Sequence, residues 1–384
     1  MVAKYELDFT LLSRELKLLL ELIKTDNDEH IKLKQDEWFK DINWDSFLQL
    51  VKHHRVYPLI YMKLKDIDKG SIPENMMQIL YGEYRKNTLQ MLQLSGEMEK
   101  ISRIFMENQI QLLFLKGPVL AYDLYGDISL RTCRDLDILV PRKDIEKAEN
   151  LLLDLGYINE EGPILLNERK WKNHHTEYSH PKKGIQVEIH WRLHMPPMKE
   201  PTFNELWKRK RSITFTNYPI FFLGEEDLFL HLVVHGARHA WFRIRWLKDI
   251  DQIVKKGMDL KKVNLLIRKY KYRNMVGQTY ILAAQLLNSP IHEGMEVLTN
   301  KKNAESLAKK AYLYITSSKK FSYDTRYLFS LNSTLRKFLY LIILFYPNSL
   351  DMKTLKLPKA FHFLYFLLRP FLWIKRQKEK NLEK

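Results

Sequence analysis

A single cysteine, Cys133, is all the thiol that this chain of 384 residues contains. It cannot close an internal disulfide, so nothing in the fold calls for an oxidising compartment. No base stands in an established pairing with it, which favours a small residue near the core over a nucleophile. Long apolar runs are missing too. The most apolar segments, FLYLIILFY (338–346) and FHFLYFLLRPFLWI (361–374), fall short of the roughly 20 residues that span a bilayer, and Arg369 and Pro370 interrupt the second. Residues 1–24 carry spaced charges on an amphipathic pattern, without the apolar stretch and small-residue cleavage site of a signal peptide. A soluble, cytoplasmic protein is the expectation. The sequence also has no HExxH pattern, zinc-finger spacing, RGG tract, RRM aromatic signature or internal repeat.

Acidic residues are the scarcer charge, 46 against 63 lysines and arginines, for a net charge of +17. Such a surface attracts polyanions: nucleoside triphosphates, anionic lipid, acidic peptides or nucleic acid. Lysines spread along the whole chain favour a solvated basic surface over dedicated nucleic-acid binding. Hydrophobic residues make up 45% and aromatics 12%, which suits a globular chain with a sizeable core. Apolar residues recur at helical spacing through residues 1–98, change to strand-like runs over 99–223 and return to helical spacing over 224–384. The expected fold is α+β: a small mixed β-sheet core (99–223) between N-terminal (1–98) and C-terminal (224–384) helical regions.

Within the middle region, CRDLDILV (133–140) is an apolar strand with two carboxylates one residue apart. Alternation puts Asp135 and Asp137 on one face and Leu136, Ile138 and Val140 on the other. Two like charges about 7 Å apart repel unless a cation lies between them. Mg²⁺ (or Mn²⁺) suits hard oxygen ligands and leaves room for phosphate oxygens. Taken alone, the tripeptide is also compatible with an edge strand whose aspartates pair with Arg131 and Arg134. Upstream, LLFLKGP reads as a strand, a Lys116-Gly117 turn and a helix opened by Pro118, a place where free N–H groups and a lysine attract an anion. Downstream, HTEYSHPKKGIQVEIHWRL reads as a hairpin turning at Pro181 to Gly184. Its second strand places Ile185, Val187, Ile189 and Trp191 on one face and Gln186, Glu188, His190 and Arg192 on the other. Glu188 is thereby a third carboxylate, and His190 shares its face.

The stretch FLKGPVLAYDLYGDISLRTCRDLDILV, followed by GY at 156–157 and VEIHWRL, resembles the putative nucleotidyltransferase family of the DNA polymerase β-like superfamily. HHRVYPLIYMKL and LHLVVHGARHAWFRIRWLKDI resemble that family's flanking helices, so the likeness covers most of residues 45–255. It implies metal binding by Asp135, Asp137 and Glu188. Lys116 and Gly117 stand where the wider superfamily carries a Gly-Ser that holds triphosphate. Arg134 stands where a small residue is usual. The implied reaction moves a nucleoside monophosphate from an NTP such as ATP to a hydroxyl or phosphate acceptor. A peptide, metabolite or sugar is the acceptor class expected from the family.

Arg131, Arg134, His190, Arg245 and Asp249 are further candidates for the nucleotide pocket; an interhelical salt bridge is the plainer reading for the last two. His231, His235 and His239 share one helix face at i, i+4 spacing, which suits packing better than a metal site. Two other functions stand beside the transferase: a non-catalytic nucleotide- or peptide-binding module on the same fold, and a nucleotidyltransferase acting on RNA. The aromatic C-terminal segments, flanked by IKRQKEK, read as core helices, a peripheral membrane contact or a partner-binding groove.

Overall fold

The computed structural model describes residues 6–25, 28–67, 70–160, 173–317, 325–332 and 334–382. Residues 1–5 of the amphipathic opening lie outside the described residues; its remainder forms a short 3-10 turn (Phe9–Leu11) and α1 (Arg14–Lys24), which buries Leu16, Leu19, Leu20 and Ile23. Ser13 caps it by accepting the Leu16 N–H at 3.1 Å, satisfying one of the free donors of the first turn. There follow α2 (Asp28–Trp38), α3 (Trp44–His53), α4 (Tyr57–Leu64) and the 34-residue α5 (Glu74–Glu107). Residue 98, expected as the end of the helical region, lies inside α5. Met76 and Leu80 on its first half join the helical core, while Met91, Leu94, Met98, Ile101 and Phe105 pack beneath the sheet.

The sheet region runs β1 (Leu113–Phe114), α6 (Pro118–Tyr125), β2 (Asp135–Leu139), α7 (Ile145–Asp154), β3 (Ile158–Asn159), β4 (His175–His180), β5 (Ile185–His190), α8 (Phe203–Arg209), β6 (Arg211–Ile213) and β7 (Ile220–Phe222). Among the described residues seven strands form one mixed sheet in the order β3-β4-β5-β2-β1-β7-β6. β2 pairs parallel with β5, and β1 pairs parallel with β7; the other neighbours are antiparallel. The apolar run 110–115 therefore contributes only two residues of strand. Gly117 ends it with φ of 95°, a conformation that glycine alone adopts at little cost. Residues 212–223 supply further strand, as parts of two antiparallel strands, β6 and β7. Pro219 lies between them and has no N–H to offer a ladder.

Beyond the sheet come α9 (Glu225–Arg238), α10 (Ile244–Lys256), α11 (Leu260–Tyr270), α12 (Arg273–Leu287), α13 (Lys302–Thr316) and, further on, α14 (Thr334–Leu344) and α15 (Tyr365–Leu382). Leu19 and Ile23 of α1 share a core with Tyr280 and Ile281 of α12, so the helices before and after the sheet pack together. The fold is thus α+β with helical flanks. Between α9 and α10 the backbone turns through Ala240 and Trp241, both at positive φ. The Trp241 ring is fully buried against Gly236, where a Cβ would lie 2.2 Å from Cζ3. Gly236 is needed there for close approach. Among the described residues no helix is long and apolar enough to cross a membrane.

Candidate functional site

Register assembles the site. On parallel β2 and β5, Asp137 lies opposite Glu188 and Asp135 opposite Gln186. On antiparallel β4 and β5, Glu177 lies opposite Glu188 and His175 opposite His190. Opposed residues share a face, as do residues two apart along a strand. Asp135, Asp137, Glu177, Glu188, His175 and His190 therefore face the same way. Leu136, Ile138, Val187 and Ile189 fill the opposite face against α5. The polar face lines a cavity of about 330 Å³, to which α9 contributes His231, His235 and Arg238.

Asp137 is the electrostatic centre, and it is 1% exposed. Lys116 Nζ lies 3.2 Å from its Oδ2, and His190 Nε2 lies 3.3 Å from its Oδ1. The same Nε2 is 3.0 Å from Glu188 Oε2. Burial works against every charge here. For Asp137 the Lys116 and His190 cations outweigh it and hold the carboxyl well below the usual carboxylate range. Burial likewise opposes the Lys116 ammonium, but Asp137, Asp135 and Glu188 together hold its pKa above the ordinary lysine value. Hydrogen bonds with Asp137 and Glu188 overcome the burial of His190 and raise its pKa to about 9. Asp135 goes the other way: burial, then repulsion from Asp137 and Glu188, pushes its carboxyl up. The negative charge of Asp137, Asp135 and Glu188 thus acts on the one Lys116 ammonium.

A second cavity of about 140 Å³ shares Lys116, Asp135, His235 and His239 with the first. Its walls include Arg55, Arg131, Arg134, Arg243 and Arg245. Arg131 is committed elsewhere: it grips Asp249 with Nε at 3.0 Å from Oδ1 and Nη2 at 3.0 Å from Oδ2, and both partners are buried. Arg245 donates to the Thr132 hydroxyl at 2.7 Å and to the Thr132 carbonyl. Burial, then the charge of neighbouring arginines, lowers Arg55, Arg243 and Arg245 to about 10 each. The Nε groups of Arg243 and Arg245 are buried without a hydrogen-bond partner. Crowded guanidiniums with unspent donors have the charge and geometry that suit a polyanion.

The remaining sequence candidates fall out as follows. Lys116 lines both cavities, whereas Gly117 lines neither; its place is the turn that brings Lys116 to Asp137. Arg134 is exposed on the wall of the arginine chamber. Arg245 lies on that wall as well, and Asp249 is the buried partner of Arg131. Cys133 donates its thiol to the Asp135 carbonyl at 3.0 Å, and burial pushes its pKa up to about 11, so it stays a protonated near-core residue. His231, His235 and His239 border the cavities, and burial pushes all three down, His231 and His239 to about 3. The metal-competent triplets among the described residues lie elsewhere. Asp137, Glu188 and His190 offer ligand atoms within 4.8 Å of one another, as do His174, His175 and His190, and His175, Glu177 and Glu188. Asp135 borders the same cavity without joining a triplet.

The profile of an uncharacterised nucleotidyltransferase family matches residues 40–288, well over half of the chain. The chain belongs to that family. No curated protein sequence matches it. The family's profile takes in both cavities, from Arg55 to Trp246. Carboxylates and guanidiniums therefore line adjoining cavities within the matched residues. Arg55, His174 and His175 were not singled out from the sequence. Arg55 sits in the turn after α3, far along the chain from the aspartates. His174 and His175 had a usable signal: counting back from the hairpin turn at 181–184 puts His175 beside His190.

Proposed function

We propose that the chain transfers a nucleoside monophosphate from a nucleoside triphosphate, ATP included, to a hydroxyl or phosphate acceptor. The observation that carries this reading is the shared wall of the two cavities: Lys116 and Asp135 border both the carboxylate chamber and the arginine chamber. The oxygen donors of Asp135, Asp137 and Glu188 suit Mg²⁺ or Mn²⁺, and the ligand atoms that Asp137, Glu188 and His190 bring within 4.8 Å of one another support an ion there. Such an ion, when bound, stabilises charge on the α-phosphate and lowers the pKa of an attacking oxygen. The chain's own groups do the rest. Arg55, Arg134, Arg243 and Arg245 hold the β- and γ-phosphates and neutralise the pyrophosphate as it leaves. Asp135, on the wall that both cavities share, is placed to take the acceptor's proton. The acceptor oxygen bonds to the α-phosphorus while the α–β bridging bond breaks. The 330 Å³ cavity suits a metabolite, a sugar or the end of a peptide. A cytoplasmic setting fits an NTP donor and a lone free cysteine.

Labelled NTPs with Mg²⁺ or Mn²⁺ and a panel of acceptors test the reading by pyrophosphate release. Asp135→Asn and Asp137→Asn are each expected to lose at least 10²-fold in turnover, by the cost of removing transition-state charge stabilisation. Arg243→Gln is expected to raise KM for NTP about tenfold or more through loss of one phosphate contact. Unchanged turnover in both aspartate variants would overturn the assignment. The reading also includes a peripheral membrane contact through α15, which exposes Leu367 (70%), Phe371 (69%) and Trp373 (54%) beside a basic end segment.

A further inference from the structure

The hairpin carries more imidazole than a site built only for oxygen-ligated cations requires. We propose that His174, His175 and His190 form a site for a borderline-soft transition-metal dication of the Zn²⁺ or Co²⁺ class, on the wall of the carboxylate cavity. It goes beyond the transfer reading and does not depend on it.

Each of the three residues presents a ring nitrogen within 4.8 Å of the other two. His174 Nε2 and His175 Nδ1 are 3.3 Å apart. Two nitrogens that bind one tetrahedral ion at 2.0–2.1 Å are separated by about 3.3–3.4 Å, so this pair is already spaced as ligands. The rings converge without stacking: His174 meets His175 at 69° and His190 at 76°. Backbone geometry holds them so. β-pairing sets His175 opposite His190, and the Trp191 N–H donates to the His174 carbonyl at 3.0 Å.

The surrounding carboxylates fill the role that outer partners play around ligating histidines. His175 turns Nδ1 toward His174, while its Nε2 faces Glu177 Oε1 at 3.5 Å. A carboxylate behind the far nitrogen fixes ring orientation and raises ligand basicity. His190 Nε2 faces Glu188 and Asp137, and its Nδ1 is buried with no hydrogen-bond partner. Glu188 Oε2, 3.9 Å from His175 Nδ1, adds a second carboxylate behind the imidazoles. Mg²⁺ favours oxygen and keeps its waters, so three imidazoles discriminate against it and for Zn²⁺ or Co²⁺. The ion would tie the start of β4 to the end of β5, the two strands that frame the cavity.

Titration of the metal-stripped full chain with Co²⁺ tests this. The expected result is one equivalent bound with the strong visible bands of a four-coordinate ion, bleached by Zn²⁺ and unmoved by a large excess of Mg²⁺. His174→Gln and His175→Gln should each lose the bands, and Asp135→Asn should keep them. X-ray absorption on the wild-type Co²⁺ complex counts ligands without any variant: three imidazoles are expected, and fewer overturn the proposal. Absent bands in the wild type, bands that survive both histidine variants, or displacement by Mg²⁺ also overturn it. Mg²⁺-supported turnover, measured apart, reports on the transfer reading, so the two can fail separately.

Discussion

His54, directly after α3, is wholly buried and accepts the Ile244 N–H at Nδ1 (3.3 Å). That bond requires a neutral ring, and it anchors the start of α10 beside Arg243. Burial, then the charge that His53 can carry, pushes the His54 pKa down to about 3. The unfolded chain takes up this proton as pH falls below about 6.5, whereas the folded chain refuses it until about 3. Stability is therefore full above the upper value and declines as pH falls through the window. Between about pH 7 and about pH 5 the linkage removes about 2 kcal/mol. His54→Gln, which keeps an acceptor but cannot titrate, should lose less Tm over that interval than the parent in a thermal melt. Equal losses would assign the acid sensitivity to other buried histidines.

At the scale of elements, the buried pair Arg131–Asp249 ties the lead-in to β2 onto α10. Tyr125, the last residue of α6, joins it by donating its hydroxyl to Asp249 Oδ1 at 2.9 Å. Three elements that border the site thus meet on one carboxylate. Removing one partner of such a pair strands the other charge in the core, a cost of about 3–5 kcal/mol. Urea unfolding should show that loss for Asp249→Asn, and the double variant Arg131→Met/Asp249→Leu should recover much of it. A cost below about 1 kcal/mol would mean that the pair does not hold these elements together. Both residues were candidates for nucleotide contact when only the sequence was read. Their spacing in the chain, Arg131 before the strand and Asp249 on a helix far downstream, says nothing of their partnership, because side-chain pairing across 118 residues is set by packing.

For the molecule as a whole, the proposed peripheral membrane contact rests on the net charge of +17 and on the exposed apolar residues of α14 and α15. Phe338, Ile342, Phe371 and Trp373 are all more than half exposed. Burying such aromatics at a lipid interface while basic residues meet anionic headgroups favours a peripheral position. Flotation should carry the full chain with vesicles rich in anionic lipid and leave it behind with neutral ones. Phe371→Ser/Trp373→Ser should sediment without lipid in both cases; flotation unchanged by the pair of substitutions would place the contact elsewhere.

Two periodicities were legible by themselves. Alternation in LDILV and IQVEIH determined the strands and which side chains share a face, because a strand repeats every two residues whatever surrounds it. The Lys-Gly-Pro turn was equally plain, since Gly117 and Pro118 restrict their own backbone. The sequence also determined that Asp135, Asp137, Glu188 and His190 belong to polar faces. Tertiary structure alone decided what those faces meet. Parallel pairing of β2 with β5 set Asp137 beside Glu188, and the α9–α10 turn brought Arg243 and Arg245 to Arg55. The same packing placed Arg131 on Asp249. Such contacts join residues that are distant in the chain, and their energies depend on burial and on neighbouring charge, which no local pattern encodes.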